Sequence, residues 1–176
     1  ISDSQRILAA LKAGELDYAS AQPSQIEDLK AITPEGKTTV LPNSSIVTFM
    51  FNFDNTPWND KRVRQALSMA LDRDGILQVV DPTGEQPWNS FFGPALVPYY
   101  MSPQDEAKWG STAGNFKHNP AEVKALLNAA TGSDTLDVNV ISSVDRYGPT
   151  AQQLWEVAVS SIKTSGFNAQ NVFQEY

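Results

Sequence analysis

The run from Pro57 to Val80 constrains this chain more than any other stretch, because it holds a helix start, an apolar stripe and a second helix start in one block. Pro57 cannot continue a helix arriving from upstream, and Asn59 or Asp60 can accept hydrogen bonds from the open N–H groups of a first turn. Val63, Ala66, Leu67, Ala70 and Leu71 then recur at the spacing of one helix face, a stripe that must meet a core. Asp72 is placed to cap a second short helix carrying Ile76, Leu77 and Val80, so the block reads as two helices meeting at a sharp joint. Arg62, Arg64 and Arg73 are expected to pair locally with Asp60, Asp72 and Asp74 rather than with a ligand.

Helices and strands alternate along the rest of the chain. Ile7, Leu8 and Leu11 give a short helix that Gly14 ends; Leu16 to Ala19 reads as a strand; Ser24-Gln25-Ile26-Glu27 is a capping box for a helix to about Ile32. Thr38 to Leu41 and Ile46 to Phe53 are rich in β-branched and aromatic residues, with Phe49, Phe51 and Phe53 on one face, and both are expected to be strands. Asp81 to Lys117 carries five prolines and reads as a long ordered loop, since Trp88, Phe91, Phe92, Tyr99, Tyr100 and Trp109 bring more apolar surface than a disordered linker leaves unpacked. Asn119-Pro120-Ala121-Glu122 starts another helix, with Val123, Leu126 and Leu127 inward and Gly132 at its end. A strand with Leu136, Val138 and Val140, a long helix ending near Gly166 and a last strand from Phe167 to Phe173 follow. Strands joined by helices imply an α/β domain whose sheet is mixed or largely parallel and flanked by helices.

Charge and composition exclude several functions. With a net charge of −7, the 13 scattered Lys and Arg form no basic face for nucleic acid, and membrane-surface binding is disfavoured for the same reason. No cysteine is present, so disulfides, thiolate zinc sites and thiol catalysis are out. No apolar run reaches the roughly 18 residues that cross a bilayer. The start at Ile1 shows neither an initiator Met nor an export signal, and the chain reads as an internal segment of a longer one. His118 is the sole histidine, and no serine sits in a nucleophile elbow. Neither phosphate-binding glycine motif occurs, and Asn52, Asp54, Asn55 and Asp60 lack the glycine and the terminal Glu of a calcium loop. No cofactor, metal or catalytic residue is expected.

The block from Asn55 to Arg73 resembles the N-x-P-[FW]-x-D-x-R-V-R-Q-A-L-x-x-A-[IL]-D-R segment of the family 5 solute-binding proteins of ABC importers, which capture peptides, nickel complexes and some oligosaccharides. Ala10 to Asp17 resembles that family's A-L-x-x-G-E-x-D entry, and Asn119 to Ala130 its N-P-x-x-A-K-x-L-L-x-x-A helix, with Val123 at the usual Ala position. Leu136 to Ile141 followed by Gln152 to Gly166 is similar to the strand, long helix and closing strand of the same lobe. The resemblance implies that residues 1–176 form a single α/β lobe of a type II periplasmic-binding-protein fold, a fragment of the C-terminal lobe. The N-terminal lobe and a downstream cleft segment would lie outside it. It further implies a non-enzymatic, extracytoplasmic protein, periplasmic or a cell-surface lipoprotein, that captures a peptide or other small solute and delivers it to an ABC permease. A chemosensory or protein-interaction domain of the same fold, or an extracellular carbohydrate-active enzyme, are the alternatives.

Ligands of open α/β sheets bind outside the carboxyl ends of strands, here the loops after Ile141, Phe53 and Phe173. Asp145, Tyr147 and Thr150 follow the first of these, at the start of the long helix, and Asn52 and Trp88 are further candidates. In the family the loop after this strand faces the cleft, and Tyr176 resembles a cleft-wall residue.

Overall fold

Asp60 starts the helix that the apolar stripe demands. In the computed structural model, which describes residues 4–20, 25–39, 47–80, 88, 90–143 and 148–174, Asp60 Oδ1 accepts from the Arg62 backbone N–H at 2.8 Å. Helix α3 (Lys61–Ala70) follows, with Val63, Ala66, Leu67, Met69 and Ala70 buried. The chain turns extended at Leu71, half-buried against the core, and helix α4 (Arg73–Val80) begins with the Gly75 N–H donating to Asp72 Oδ1 at 3.0 Å. The capped joint expected at Asp72 is therefore present.

Two compact units make up the chain, residues 1–42 and 43–176. In the first, α1 (Ser4–Lys12) buries Leu8 and ends at Gly14, whose φ of 72° is the left-handed conformation a glycine takes without strain. Helix α2 (Ile26–Ile32) carries a Glu27 to Lys30 pair at 2.9 Å. Ser24 of the expected capping box lies outside the described residues. Among the described residues the strand expected at Leu16–Ala19 is absent, since those residues join no ladder; Thr38 and Thr39 are likewise irregular, and residues 40–41 are outside the described set.

The second unit packs helices on a parallel strand pair. After α5 (Glu106–Trp109) and a 3₁₀ helix (Gly110–Phe116), α6 (Pro120–Thr131) starts where Asn119 Oδ1 accepts from the Glu122 N–H at 3.2 Å and ends at Gly132. Strand β1 (Leu136–Ser142), helix α7 (Gly148–Thr164) and strand β2 (Phe167–Phe173) form a β-α-β unit, paired from Leu136 opposite Phe167 to Ser142 opposite Phe173. α3 packs on α6 and α7, and α4 on α7. The core holds Val63, Leu67, Val123, Leu127, Ile162 and Phe167, all at most 4% exposed, with Leu126 packed at its margin.

Two hydrogen bonds to one hydroxyl lock the α3–α4 joint onto α7. Ser161 Oγ donates to the Ala70 carbonyl and accepts from the Asp72 N–H, both at 2.6 Å. Ser165 Oγ donates to the Ser161 carbonyl at 3.0 Å. Where α7 hands over to β2, Gly166 takes φ 122°, and a Cβ there would stand 3.0 Å from the Asp134 carbonyl. The Leu136 N–H donates to the Gly166 carbonyl at 3.0 Å, setting the first rung of the ladder.

Three expectations need correction. Residues 47–53 are not a strand among the described residues: Phe49 and Phe51 are half-buried and Met50 is 93% exposed, but Val47 and Phe53 are exposed as well, so the alternation is confined to the middle of the run, and no backbone group pairs with 47–51. Alternation sets the faces of an extended segment, whereas a strand also needs a ladder partner. The stretch read as a loop from Asp81 to Lys117 contains α5 and the 3₁₀ helix, and its aromatics pack only in part: Trp109 stands 4.6 Å from Phe116 and 6.0 Å from Phe91, centroid to centroid, but Phe91, Phe92 and Tyr99 remain exposed. Of these three arginines, Arg62 alone pairs with a carboxylate among the described residues, Asp60 at 2.7 Å. Arg64 donates to the Trp58 carbonyl at 2.6 Å, and Arg73 to the Ser68 and Phe116 carbonyls at 2.7 and 2.9 Å. The acids assigned to them are engaged elsewhere, Asp72 as a cap and Asp74 with the Trp88 indole.

Candidate functional site

The carboxyl edge of β1 and β2 is the first place to look. Ser142, buried, donates through Oγ to Asn171 Oδ1 at 3.0 Å, and the Gln174 N–H reaches the Ser142 carbonyl at 3.0 Å, continuing the ladder beyond β2. This cross-strand link holds the two strand ends side by side, while Ile141 and Phe173 remain 60% and 50% exposed. Asp145, Tyr147 and Tyr176 lie outside the described residues. Thr150 falls in the first turn of α7, which places its backbone beside the edge; its side chain is likewise not described.

Asn52 is exposed and turns the chain after the extended segment: its Oδ1 accepts from the Asp54 N–H at 3.0 Å and its carbonyl from the Asn55 N–H at 3.2 Å. The structure does not bring it to the second feature, a groove of about 490 Å³. Phe49 and Phe51 form one wall of this groove, Leu71, Ile76 and Leu77 another, and Leu154, Trp155 and Ala158 of α7 a third, with Trp88 and Phe116 beside them. Trp88 is fixed there by its indole N–H, 2.8 Å from Asp74 Oδ1, and by the Tyr100 hydroxyl, which donates to its carbonyl at 2.8 Å. Phe91 also lines the groove, while Phe92 pairs with Tyr99.

Two cations reach this mostly apolar lining, which also holds Thr48, Ser68 and Ser90. Arg73 sits over the Phe116 ring and donates to Ser68 Oγ at 2.8 Å besides its two carbonyl acceptors. Burial disfavours its charged form and lowers its pKa to about 10, and neutral acceptors alone satisfy it. Arg64 lies 4.8 Å from the Phe53 centroid. The groove thus offers apolar packing and a few fixed donors, and among the described residues lining it no nucleophile and base stand in register. His118 Nε2 does stand 3.2 Å from Ser165 Oγ, but that serine is fully buried and donates into the α7 backbone, a packing role. Sequence reasoning missed the groove because its walls come from segments far apart in the chain; the one-sided run Phe49, Phe51 was the signal available.

The family described as bacterial extracellular solute-binding proteins, family 5 middle, matches residues 1–175. The chain belongs to this family. Among its relatives are the periplasmic murein peptide-binding protein MppA of Escherichia coli, 26% identical over 172 residues, covering 89% of this chain and 32% of MppA. The oligopeptide-binding protein OppA of Bacillus subtilis is 29% identical over 121 residues, covering 68% of this chain and 21% of OppA. The chain therefore spans about a third or less of the length of these relatives. Among solved structures, the ABC transporter substrate-binding protein CtaP of Listeria monocytogenes superposes with a TM-score of 0.70 at 19% identity, over 99% of this chain and 34% of that one. MppA in its unliganded open form gives 0.66 at 24% identity, over 99% and 33%. These likenesses establish the α/β lobe of a type II periplasmic-binding-protein fold.

Proposed function

We infer that this chain is part of the substrate-binding component of an ABC importer, which captures a peptide or similar small solute outside the cytoplasm and passes it to a membrane permease. The observation that carries this reading is the family match along residues 1–175. Relatives named for murein peptide and oligopeptide binding support peptide as the solute class. Capture is non-enzymatic: a solute that contacts two lobes favours their closed arrangement by its differential affinity, and the closed form is what the permease reads.

Within residues 1–176 the solute would meet the carboxyl edge of β1 and β2. Asp145 and Tyr147 would supply polar contacts, Thr150 and the α7 N-terminus would orient acceptor atoms, and Tyr176 would form an aromatic wall. Asn52 and Trp88 are the outer members of this proposal. The joined strand ends, held by Ser142 and Asn171, are what favours the edge, because they give the loops beyond them a rigid base.

Mass spectrometry of solute co-purifying with the natural polypeptide identifies the ligand, and calorimetry compares its binding to that polypeptide and to residues 1–176. One lobe supplies part of the contacts and little water exclusion. A loss of about 4 kcal/mol would move a micromolar affinity to roughly millimolar. Weak binding by residues 1–176 is expected; equal affinities would place the whole site in this segment and refute the two-lobe reading. A natural polypeptide that binds neither peptide nor any co-purified solute would refute capture itself.

A further inference from the structure

The inner face of β2 changes character at one position. Phe167 and Ala169 point into the core at 0% and 1% exposure, and the next residue on that face, two positions on, is Asn171. Asparagine is disfavoured in strands, and an amide on the covered face of a sheet costs desolvation unless its hydrogen-bonding groups are used. Here only one is. Asn171 Oδ1 accepts from the hydroxyl of buried Ser142 at 3.0 Å, which turns the Nδ2 group away from that serine, and neither Nδ2 N–H has an acceptor among the described residues. No side-chain nitrogen or oxygen among those residues is both sealed and unpaired, so the half-buried Asn171 keeps its Nδ2 open to solvent. Phe173 follows on the same face, 50% exposed, at the end of the strand.

We propose that Asn171 is a specificity-determining residue of solute capture: its Nδ2 donates to a main-chain carbonyl oxygen of a peptide lying across the ends of β1 and β2, and Phe173 packs against the side chain beside that carbonyl. The proposal rests on the chain being part of a peptide-capturing component, and adds to it one residue and one hydrogen bond. An apolar pair at positions 142 and 171 would serve the fold as well or better, because replacing both partners of a covered hydrogen bond by apolar groups is close to neutral. A local rule broken without gain to the fold marks a functional position. Ser142 is the positioning residue, since its proton occupies Asn171 Oδ1 and fixes which end of the amide faces outward. A donor held in this way rejects a solute that lacks an acceptor there far more strongly than an apolar wall does, because the donor is left unpaired.

The test uses the natural polypeptide and a mixture of unmodified tri- to pentapeptides of random sequence. Native mass spectrometry picks the peptide bound most tightly by wild type, and calorimetry measures its affinity for each variant. Asn171→Asp keeps the acceptor that Ser142 uses and puts a carboxylate oxygen where the free donor stood. It is expected to weaken binding at least about tenfold at pH 7. The deficit against wild type is expected to shrink to about threefold or less at about pH 4, where a carboxyl of ordinary pKa regains a proton to donate. A loss below tenfold at pH 7, or a deficit that does not shrink on acidification, would overturn the role of Asn171 while capture stood. Asn171→Leu introduces no charge and decides the matter where Asn171→Asp does not fold: a loss of at least about threefold at both pH values is expected, and a smaller one would overturn the proposal. Wild type that binds no peptide of the mixture would refute peptide capture, and this hydrogen bond with it.

Discussion

Replacing Ser161 by Ala tests how the joint between α3 and α4 is held. The serine is 8% exposed and serves two backbone groups at once, giving its proton to the Ala70 carbonyl and accepting from the Asp72 N–H, each at 2.6 Å. The two groups are not left equally badly off. The Ser165 hydroxyl, which donates its one proton to the Ser161 carbonyl, also lies 3.4 Å from the Ala70 carbonyl and can turn to it once Ser161 Oγ is gone. The Asp72 N–H has no such reserve, and an orphaned part-buried donor costs about 1–3 kcal/mol, with about 0.5–1.5 more for the weakened carbonyl contact. Alanine is the better helix former by a few tenths of a kcal/mol, which offsets a little of this. The expected net loss is about 1–4 kcal/mol, or roughly 2–16 °C in Tm for a domain of this size. Urea unfolding followed by circular dichroism measures it, with Ser160→Ala, one residue earlier on the exposed face of α7, as the propensity control. If Ser161→Ala loses no more than Ser160→Ala, the joint is held by packing alone and the hydrogen-bond reasoning fails.

Leu67→Ala is expected to cost about 2–5 kcal/mol in the same assay, because Leu67 is 4% exposed in the centre of the core and its removal leaves a cavity. Asn119→Ala should lose about 0.5–2 kcal/mol by uncapping α6, where Asn119 Oδ1 accepts from the Glu122 N–H, and Asn119→Asp should lose much less. The third concerns acid. Hydrogen bonds from the Arg62 side chain and backbone hold the Asp60 carboxyl at about 2, below its ordinary 3.8. A carboxyl with a depressed folded pKa contributes stability that is complete above the unfolded value and lost as pH falls through the folded one. Thermal melts of Asp60→Asn should therefore decline less steeply than wild type between pH 3.8 and about 2, and parallel slopes would contradict the pairing. Asp105, lowered by Lys108, adds a contribution of the same sign in both proteins.

Local patterns carried most of the architecture. Val63, Ala66, Leu67 and Ala70 mark α3 because a helix repeats its own face without help from distant residues, and Asp60, Asp72 and Asn119 could be placed as caps because capping spans only a few positions. The β-α-β unit was legible for the same reason, with β2 running from Phe167 to Phe173 as its alternation requires. Residues 47–53 show the limit: alternation located Phe49 and Phe51 on one face but could not supply a backbone partner. Arg73 shows another, since nearby Asp72 and Asp74 were already committed to Gly75 and Trp88, and its acceptors, Ser68 and Phe116, are set by the fold. For the candidate site, the aromatic load around Trp88 implied packing that Trp88, Tyr100 and Trp109 show and that Phe91 and Tyr99, largely exposed, do not, and the groove emerges only when α3, α4 and α7 are assembled.

Gly166 makes the turn before β2 a point of zero tolerance. Its φ of 122° excludes other residues on conformational grounds, and the Asp134 carbonyl 3.0 Å from a would-be Cβ excludes them on steric grounds, so neither relief alone would rescue a substitution. Length is as tightly fixed as identity. The Gly166 carbonyl anchors Leu136, so one residue added or removed between Thr164 and Phe167 would slide β2 by one position. The side chains of β2 would then exchange faces, bringing Asn168 and Gln170 against the core in place of buried Phe167 and Ala169. In drift or engineering of this lobe, length variation is thus confined to other connections, and this short turn acts as the ruler from which the spacing of the whole β-α-β unit is measured.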